Sequence, residues 1–577
     1  MTRGLDAVGR DEVMATADEI VVPASPSSGL WAYAEALKAF GDRADRFDEL
    51  VLTSDEWFGP LTPLSSVISR MDSRFVDIWS ITDHRDVRSG DKTEGRDGVI
   101  RLSTYWLAAR RRVRDSRAWK AFWSGLPACP EFGWEVRRVE DSLSEQLLDA
   151  GFRVAAAFPS DDYPAEHADT FNVDLLIENG CPAVPRAVFD GYPLFYDQHA
   201  ISGRRLAEAM SSRGYPIHLL WSDLAQTVSP KRLHTNGSML EVLPSKEKAG
   251  RRADLRVLGI IHVLETDPLA EVMERIASVP GLARLVVTIG ARASTELVER
   301  AWERTVGQRV PLEIRDASRR TTPDTLVVFD ECRDLLLDGD YELVVALHTG
   351  VPAHLSRNAR EYFRRQQIEC LMGKAEGYVA NVVDLFADDP SVGLVFPPTP
   401  HVGMSTLGDG WLGQREAAMA TLARLKVDVP VDWASPHAPF GGMWVGRPEA
   451  VGALASISWS TDVHAGQNAM RLLSSVAGQN GFVSRTVATS EHAGLSHGSL
   501  EYIADHMATT SYGYPAGYTS FLHRAGPVGS GRGIDFLRMW LRFRHPRVGK
   551  VIAGAAVVMR GARKISGGFT AGVRKGL

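Results

Sequence analysis

Asp55 is the first residue of the chain whose surroundings suit chemistry. It follows Asp48-Glu49-Leu50-Val51-Leu52-Thr53, which reads as a buried strand, and it precedes a Gly59-Pro60 turn. In open α/β sheets, ligands collect beyond the carboxyl ends of strands, so an acid here could hold a divalent cation. The cation would offset the charge of a nucleotide diphosphate and stabilise it as a leaving group in sugar transfer. Glu56 could share the task, and oxygen ligands favour Mg2+ or Mn2+. The same pattern also suits a turn acid capping a helix that starts near Leu61. Asp83 and His84 form a second pair just beyond the stretch Phe75 to Thr82. A carboxylate there could act as general base on an acceptor hydroxyl, with His84 as a binding contact, although exposed polar turns look the same. Farther on, His348 follows the apolar run Tyr341 to Leu347, and Asp324 precedes a helix. Either could contact phosphate or sugar; a histidine satisfied by neighbouring backbone is the alternative.

Positioning these side chains requires buried strands alternating with helices. Trp31 to Phe40 and Leu61 to Met71 have helical spacing, the second with Pro60 near its start. Residues 103–123 read as one long helix with a basic face (Arg110, Arg111, Arg112, Arg114) and an aromatic face (Trp106, Trp119, Phe122, Trp123). Past a charged run at 246–254, strands are expected at Leu255 to Val263, Leu285 to Ile289, Tyr341 to Leu347 and Val392 to Phe396. Helices are expected at Ala270 to Ala277 and Leu326 to Leu337. This βαβ rhythm predicts a mostly parallel sheet covered by helices. The stretch Arg46 to Asp55 also parallels Asp340 to Thr349: each has a buried strand that follows a helix and ends on a polar residue. Two α/β halves of related design would produce that echo, and so would common βαβ patterning. No Walker loop, Gly-x-Gly-x-x-Gly turn, His-Glu-x-x-His or Gly-x-Ser-x-Gly elbow occurs. Gly441-Gly442 precedes Met443-Trp444-Val445 and reads as a tight strand entry.

A chain of 577 residues is too long for one core. Its expected parts are a first α/β half at 1–130, a mixed connection at 131–245, a linker at 246–254, a second half at 255–530 and a tail at 531–577. The four cysteines (Cys129, Cys181, Cys332, Cys370) lie far apart, which excludes a disulfide scaffold and the usual zinc spacings and fits a reducing cytoplasm. Neither a signal peptide nor an apolar run of membrane-spanning length is visible. The net charge of −6 hides an asymmetry: from Arg532 onward eleven Lys or Arg stand against Asp535 alone, leaving about −16 for the rest. Basic residues interleaved with Trp540, Leu541 and Val548 to Met559 suit a helix in the interface of an anionic membrane, or else a solvated tail or a final packing helix. Nucleic acid is not an expected partner, because no recognition module accompanies the charge.

In their order along the chain, several segments resemble the rhamnan synthesis protein F family of bacterial polysaccharide glycosyltransferases. Ser54-Asp55-Glu56-Trp57-Phe58-Gly59-Pro60 is similar to its Asn-Asp-Ser-x-x-Gly-Pro signature, and Asp77 to Asp83 to its Asp-Phe-Trp-Gly-Leu-Thr element. Ser103 to Trp106, then Ser116 to Trp123, resemble the helix that follows. Cys181-Pro182-Ala183-Val184-Pro185-Arg186 and Gly214-Tyr215-Pro216-Ile217 fit the family's middle landmarks. Tyr341 to Thr349, Val392 to Val395 and Phe440 to Trp444 fit the later ones, and the basic tail is similar too.

The resemblance implies an α/β fold with two glycosyltransferase-like, GT-A-type halves, mostly parallel sheets and a basic helical tail. It implies transfer of a sugar, rhamnose being the candidate, from a nucleotide-sugar donor to a lipid-linked polysaccharide acceptor at the inner face of the plasma membrane. Asp55 would be the catalytic metal or diphosphate residue, helped by Glu56, and Asp83 the base. His84, Asp324 and His348 would be donor or acceptor contacts. Departures from the pattern are Ser54 for Asn, His348-Thr349-Gly350-Val351 for His-Thr/Ser-Lys-Lys, and a reduced Asn-x-Gly-x-Asp element near Ser25 to Gly29. Of a corresponding later element only Asp324 remains, after Arg320 to Pro323, and part of a βα segment ahead of Trp31 is expected to be missing. A non-catalytic glycan-binding or assembly subunit is therefore the competing expectation. A glycan hydrolase would instead need two carboxylates facing one pocket.

Overall fold

The computed structural model describes residues 13–21, 29–86, 99–129, 133–244, 255–290, 293–305, 310–318, 326–350, 356–401, 410–411, 413–457, 459 and 465–509. The linker at 246–254, the tail, Asp324 and residues 25–28 lie outside them. The chain divides into two compact units: Met1–Gly191 with Tyr196–Leu220, and Tyr192–Phe195 with Trp221–Leu577.

In the first unit, helix α1 (Leu30–Phe40) precedes strand β1 (Glu49–Thr53), the short β2 (Trp57–Phe58) and helix α2 (Leu64–Asp72). Strands β3 (Ile78–Asp86), β4 (Val99–Leu102) and β5 (Trp106–Arg110) follow. Helices α3 (Arg117–Ser124) and α4 (Gly133–Asp149), strand β6 (Val154–Phe158), the single turn α5 (Ala168–Phe171) and the short β7 (Val184–Pro185) complete the part used below. β5 pairs antiparallel with β1 and β3, β4 pairs antiparallel with β3, and only β6 joins β3 in parallel. The mostly parallel pattern therefore does not extend to this sheet. The reason is local: β4 and β5 run back along one edge of β3. Because β1 pairs with the reversed β5, the three strands β1, β3 and β6 share one direction, and their carboxyl ends lie along one edge.

Residues 106–110, expected within a helix, are strand. Trp106 and Ala108 pack with Trp79, Ile81 and Val67 on one face of the sheet; Leu107 and Ala109 pack with Leu30, Ile78, Trp119 and Leu143 on the other. A strand buried on both faces loses its polar alternation, and Leu and Ala carry a helical bias that packing overrides. The expected basic face is dispersed. Arg110 donates to the carbonyls of Met71 (2.7 Å) and Val76 (3.1 Å), Arg112 pairs with buried Asp77 (3.1 Å), and Arg114 donates to the Phe47 carbonyl (2.9 Å). Helix is found as a single turn at Arg111–Arg114 and then in α3, where the Ser116 hydroxyl accepts the Trp119 amide at 3.1 Å. β1 is likewise an edge strand, with Val51 39% exposed and only Leu52 fully buried.

The second unit carries an eight-stranded sheet. Its strands are β8 (Leu240–Leu243), β9 (Val257–Val263), β10 (Leu282–Ile289), β11 (Leu312–Asp316), β12 (Leu343–His348), β13 (Val392–Phe396), β14 (Trp444–Gly446) and β15 (Val483–Thr489). The order is β11-β10-β9-β12-β14-β13-β15-β8, and only β14 runs against its neighbours. The mostly parallel expectation holds here. β9, β12 and β13 are buried along nearly their whole length, and each fully buried Val, Leu or Ile contributes about 1.5–3 kcal/mol. The helix expected at Leu326 to Leu337 is two short ones, Val327–Glu331 and Arg333–Leu337, broken at Cys332.

Candidate active site

The loop after β1 is held from both sides. The Ser54 amide donates to the Tyr105 carbonyl (3.1 Å), and the Arg186 amide to the Glu56 carbonyl (2.8 Å). β2 pairs antiparallel with β7, Trp57 opposite Pro185 and Phe58 opposite Val184, so two landmarks far apart in the sequence form one ribbon. Gly59 makes the ribbon possible: at φ 155° a methyl group there would lie 2.3 Å from the Pro182 carbonyl oxygen. Arg186 sits over the Phe58 ring at 5.4 Å and 3.9 Å from Asp190. Asp55 and Glu56 are exposed on this loop. Asp55 does not cap the following helix, since α2 begins at Leu64 with Pro63 in the capping position.

Opposite the loop stands Glu140, in the middle of α4. A methyl group on Gly29 would lie 3.8 Å from a Glu140 carboxylate oxygen and 3.9 Å from one of Glu56, so both carboxylates face that glycine at the start of α1. Glu140 accepts a hydrogen bond from the Thr104 hydroxyl (3.0 Å), and the Tyr33 hydroxyl donates to the Thr104 carbonyl (3.1 Å). The Glu56 carboxyl is held above the usual carboxylate range, first by desolvation and then by the charges of Glu140 and Asp55. Glu140 is raised as well, mainly by desolvation, which the Thr104 hydrogen bond partly offsets while neighbouring Asp141 adds to it. Burial also pushes up the Tyr33 hydroxyl.

Thr104 reaches Glu140 because the pairing of β3 slips. Between the pairs Trp79–Ala108 and Asp83–Leu102, three residues of β3 face five of the opposing chain, so Ser103, Thr104 and Tyr105 bulge out. Thr82 donates to Ser103 (2.9 Å), which donates to Asp169 (3.0 Å). A hydroxyl has one proton, so the Tyr105 hydroxyl, 2.7 Å from Thr82, is the donor of that pair. α4 is tied alongside: the Leu102 amide donates to Ser144 (2.9 Å) and Arg101 to Glu145 (2.9 Å).

Asp83 and His84 lie inside β3 rather than beyond it, because pairing with β4 extends the strand to Asp86. Phe75, expected in that strand, is 80% exposed on the approach to it, under the Arg153 guanidinium. Asp83 is 3% exposed and accepts the Ser160 amide at 2.6 Å; desolvation raises its carboxyl above the usual range against that hydrogen bond. His84 Nε2 lies 3.3 Å from Asp141, and its ring stacks on His167 at 4.7 Å. Desolvation opposes the charge on His84, but the Asp141 hydrogen bond and the charges of Asp169, Asp141 and Asp83 outweigh it, so its pKa is raised. That of His167 is lowered, by desolvation and by His84. The structure thus brings Asp55, Glu56, Asp83 and His84 to one edge of the first sheet. Sequence reasoning missed Glu140, Asp141, Thr104 and Tyr33; the adjacent acids Glu140-Asp141 beside the apolar Val139, Leu143 and Leu147 were the available signal.

His348 belongs to the second unit. Strand order reverses between β9 and β12, and His348 ends β12 at that point, where open parallel sheets bind ligands. Its Nε2 lies 2.5 Å from the Gly441 carbonyl, and Gly442, at φ 78°, leaves it room: a methyl group would come to 3.0 Å from that nitrogen. Gly441-Gly442 is thus the strand entry expected. Beside it the Thr349 hydroxyl accepts the amides of Leu264 and Glu265, both at 2.9 Å.

Among the described residues no group of three His, Cys, Asp or Glu side chains could hold a metal ion, and no helix is long and apolar enough to cross a membrane. Fold and site define an α/β protein of two units, each with polar side chains gathered beyond strand ends. The profile of the family described as rhamnan synthesis protein F matches residues 4–471, and the chain belongs to that family. Membership ties it to rhamnan synthesis, and so to polysaccharide biosynthesis. A search of curated proteins gives no match.

Proposed function

We propose that the chain is a glycosyltransferase of cell-surface polysaccharide synthesis, moving a sugar, rhamnose by the family's description, from a nucleotide donor to a lipid-linked glycan. The observation that carries this is the convergence of Glu56 and Glu140 on Gly29, beside Asp55 at the carboxyl ends of β1 and β3. Two facing carboxylates whose proton affinity is raised, Glu140 half-buried on its helix and Glu56 on the exposed loop, suit a site that handles protons and cations. Glu140 is the general base in this reading, because it is half-buried, faces the loop and holds its proton more tightly than an ordinary carboxylate. Asp83, buried and bound to the Ser160 amide, positions the turn after β6 instead.

Asp55 and Glu56 offer hard oxygen ligands suited to Mg2+ or Mn2+, which commonly take one or two carboxylates and complete their shell with phosphate oxygens and water. Such an ion, when bound, would neutralise the donor diphosphate. Asp324 and His348 would contact donor or acceptor in the second unit. A GT-A-type arrangement of both units and peripheral attachment to the inner face of the plasma membrane, through the basic tail, belong to the same reading.

Transfer from nucleotide-activated rhamnose to a lipid-linked rhamnose acceptor, with Mn2+, tests it. Wild type should transfer; Asp55→Asn and Glu140→Gln should each lose about 100-fold or more. Full activity in Asp55→Asn would overturn the metal assignment. No transfer and no calorimetric binding of nucleotide diphosphate would favour a non-catalytic assembly subunit. Deletion from Arg532 should release the protein from anionic vesicles.

A further inference from the structure

The Ser103-Thr104 bulge faces two ways. Thr104 donates to Glu140, whereas its neighbour Ser103 donates to Asp169. α4 repeats the division, with Glu140 on the Thr104 side and the next residue, Asp141, on His84. A second group of side chains thus begins one residue away from the proposed base. It is a row of rings: His84 stacked on His167 (4.7 Å, 22°), His167 edge-on to Phe171 (6.4 Å, 82°), and Phe171 against His199 (4.9 Å, 56°). His84, His167 and Phe171 are half-buried and His199 is exposed, so the row runs from the reaction site outward to solvent. The carboxylates Asp141 and Asp169 flank its inner end.

We propose that this row is the acceptor subsite, which takes the saccharide chain so that its terminal sugar reaches Glu140. The inference rests on the transferase reading and adds the place and chemistry of the acceptor. Aromatic rings offer flat apolar surface to the C–H faces of sugars, and carboxylates accept hydrogen bonds from their hydroxyls. The same carboxylates repel phosphate, so the row suits a neutral glycan and not the nucleotide. Its length accommodates more than one ring and favours a polymer over a monosaccharide.

The test uses the full chain, a rhamnose trisaccharide as probe and calorimetry as readout, with nucleotide diphosphate plus Mn2+ titrated separately. His167→Ala and the exposed His199→Ala should each weaken trisaccharide binding about fivefold to tenfold and leave nucleotide binding unchanged, and the exposed His199→Ala should also leave the melting temperature unchanged. In transfer assays the same variants should raise the acceptor KM by that factor and hold kcat and donor KM. Trisaccharide affinity equal to wild type in both variants overturns the subsite and leaves the transferase reading standing. Absence of trisaccharide binding by wild type, with nucleotide still bound, overturns it too. Loss of both ligands in wild type counts against the transferase reading itself.

Discussion

The Arg186 amide donates to the Glu56 carbonyl at 2.8 Å, which ties the acidic loop after β1 to a segment on the far side of the first unit's sequence. The loop is thereby fixed at its backbone, while the Glu56 side chain, 3.5 Å from the Ser54 hydroxyl, faces Gly29 together with Glu140. Positioning by a neighbouring ribbon keeps the Glu56 carboxylate exposed without leaving the loop loose.

Gly59 is the weakest point of that ribbon to substitute. In Gly59→Ala the new methyl group would meet the Pro182 carbonyl and the Trp57 ring at a φ that side chains avoid. A loss of about 2–3 kcal/mol is expected in urea unfolding. Gly41→Ala, also at positive φ but with nothing within 4 Å, should lose only about 1–2 kcal/mol.

The raised carboxyl of Glu140 destabilises the fold at neutral pH. Its folded pKa lies above the unfolded value near 4.5, so the protonated form is favoured by folding. Stability therefore rises as pH falls through the folded pKa, and is lower above it. Glu140→Gln, which still accepts from Thr104, should raise the melting temperature at pH 7.5 by about 2–4 °C. That advantage should shrink as the pH approaches 4.5. A lower melting temperature at pH 7.5 would contradict the assignment.

Thr104→Val removes the hydrogen bond that favours ionised Glu140. The acid limb of kcat/KM should move to higher pH, because the base must lose its proton before it acts. Activity at the optimum should fall about 10–100-fold, in line with one lost hydrogen bond to a charged group. An unmoved acid limb would mean that another group sets it.

A pair of histidines makes the second unit acid-sensitive. His234 and His437 lie 4.1 Å apart, and the His234 ring is 2.9 Å from the Thr486 hydroxyl. Desolvation holds both mainly neutral: His234 is lowered to about 3, with Lys231 adding to the effect, and His437 lies well below 6.5 for the same reasons plus the nearness of His234. The unfolded histidines take up protons near 6.5, so the stability is fully present above that pH and declines as pH falls from 6.5 toward 3. For buried His437 the slope is at most about 1.4 kcal/mol per pH unit. Chemical denaturation at pH 7.5, 6 and 5 should show the decline, and His437→Gln should flatten it.

Much of the second sheet was legible because its strands are continuous apolar runs separated by helical spacing; β13 begins and ends where expected. The end of β1 was legible for the same reason. Trp106 to Arg110 was not, since burial on both faces removed the alternation that marks a strand. The bulge at Ser103 to Tyr105 depends on pairing with β3, which no local pattern encodes. Glu140 was visible only as one of two adjacent acids beside an apolar helix face; that it meets Gly29 and Thr104, both distant in sequence, was not legible. Asp83 and His84 were expected just beyond a strand, but β4 turned that strand-end position into a paired one.

The place of β8 matters before the protein is finished. Its partner is β15, Leu240 beside Thr486 through Leu243 beside Thr489, so it must wait while nearly all of the second unit is synthesised. At ordinary translation speeds that interval is roughly 10–50 s. Throughout it, a strand carrying Leu240 and Val242 leaves the ribosome with unsatisfied amides and carbonyls on both sides, a surface on which other nascent chains can add. A stalled or shortened product ending before Val483 would lack the strand that β8 pairs with, and would keep that surface for good.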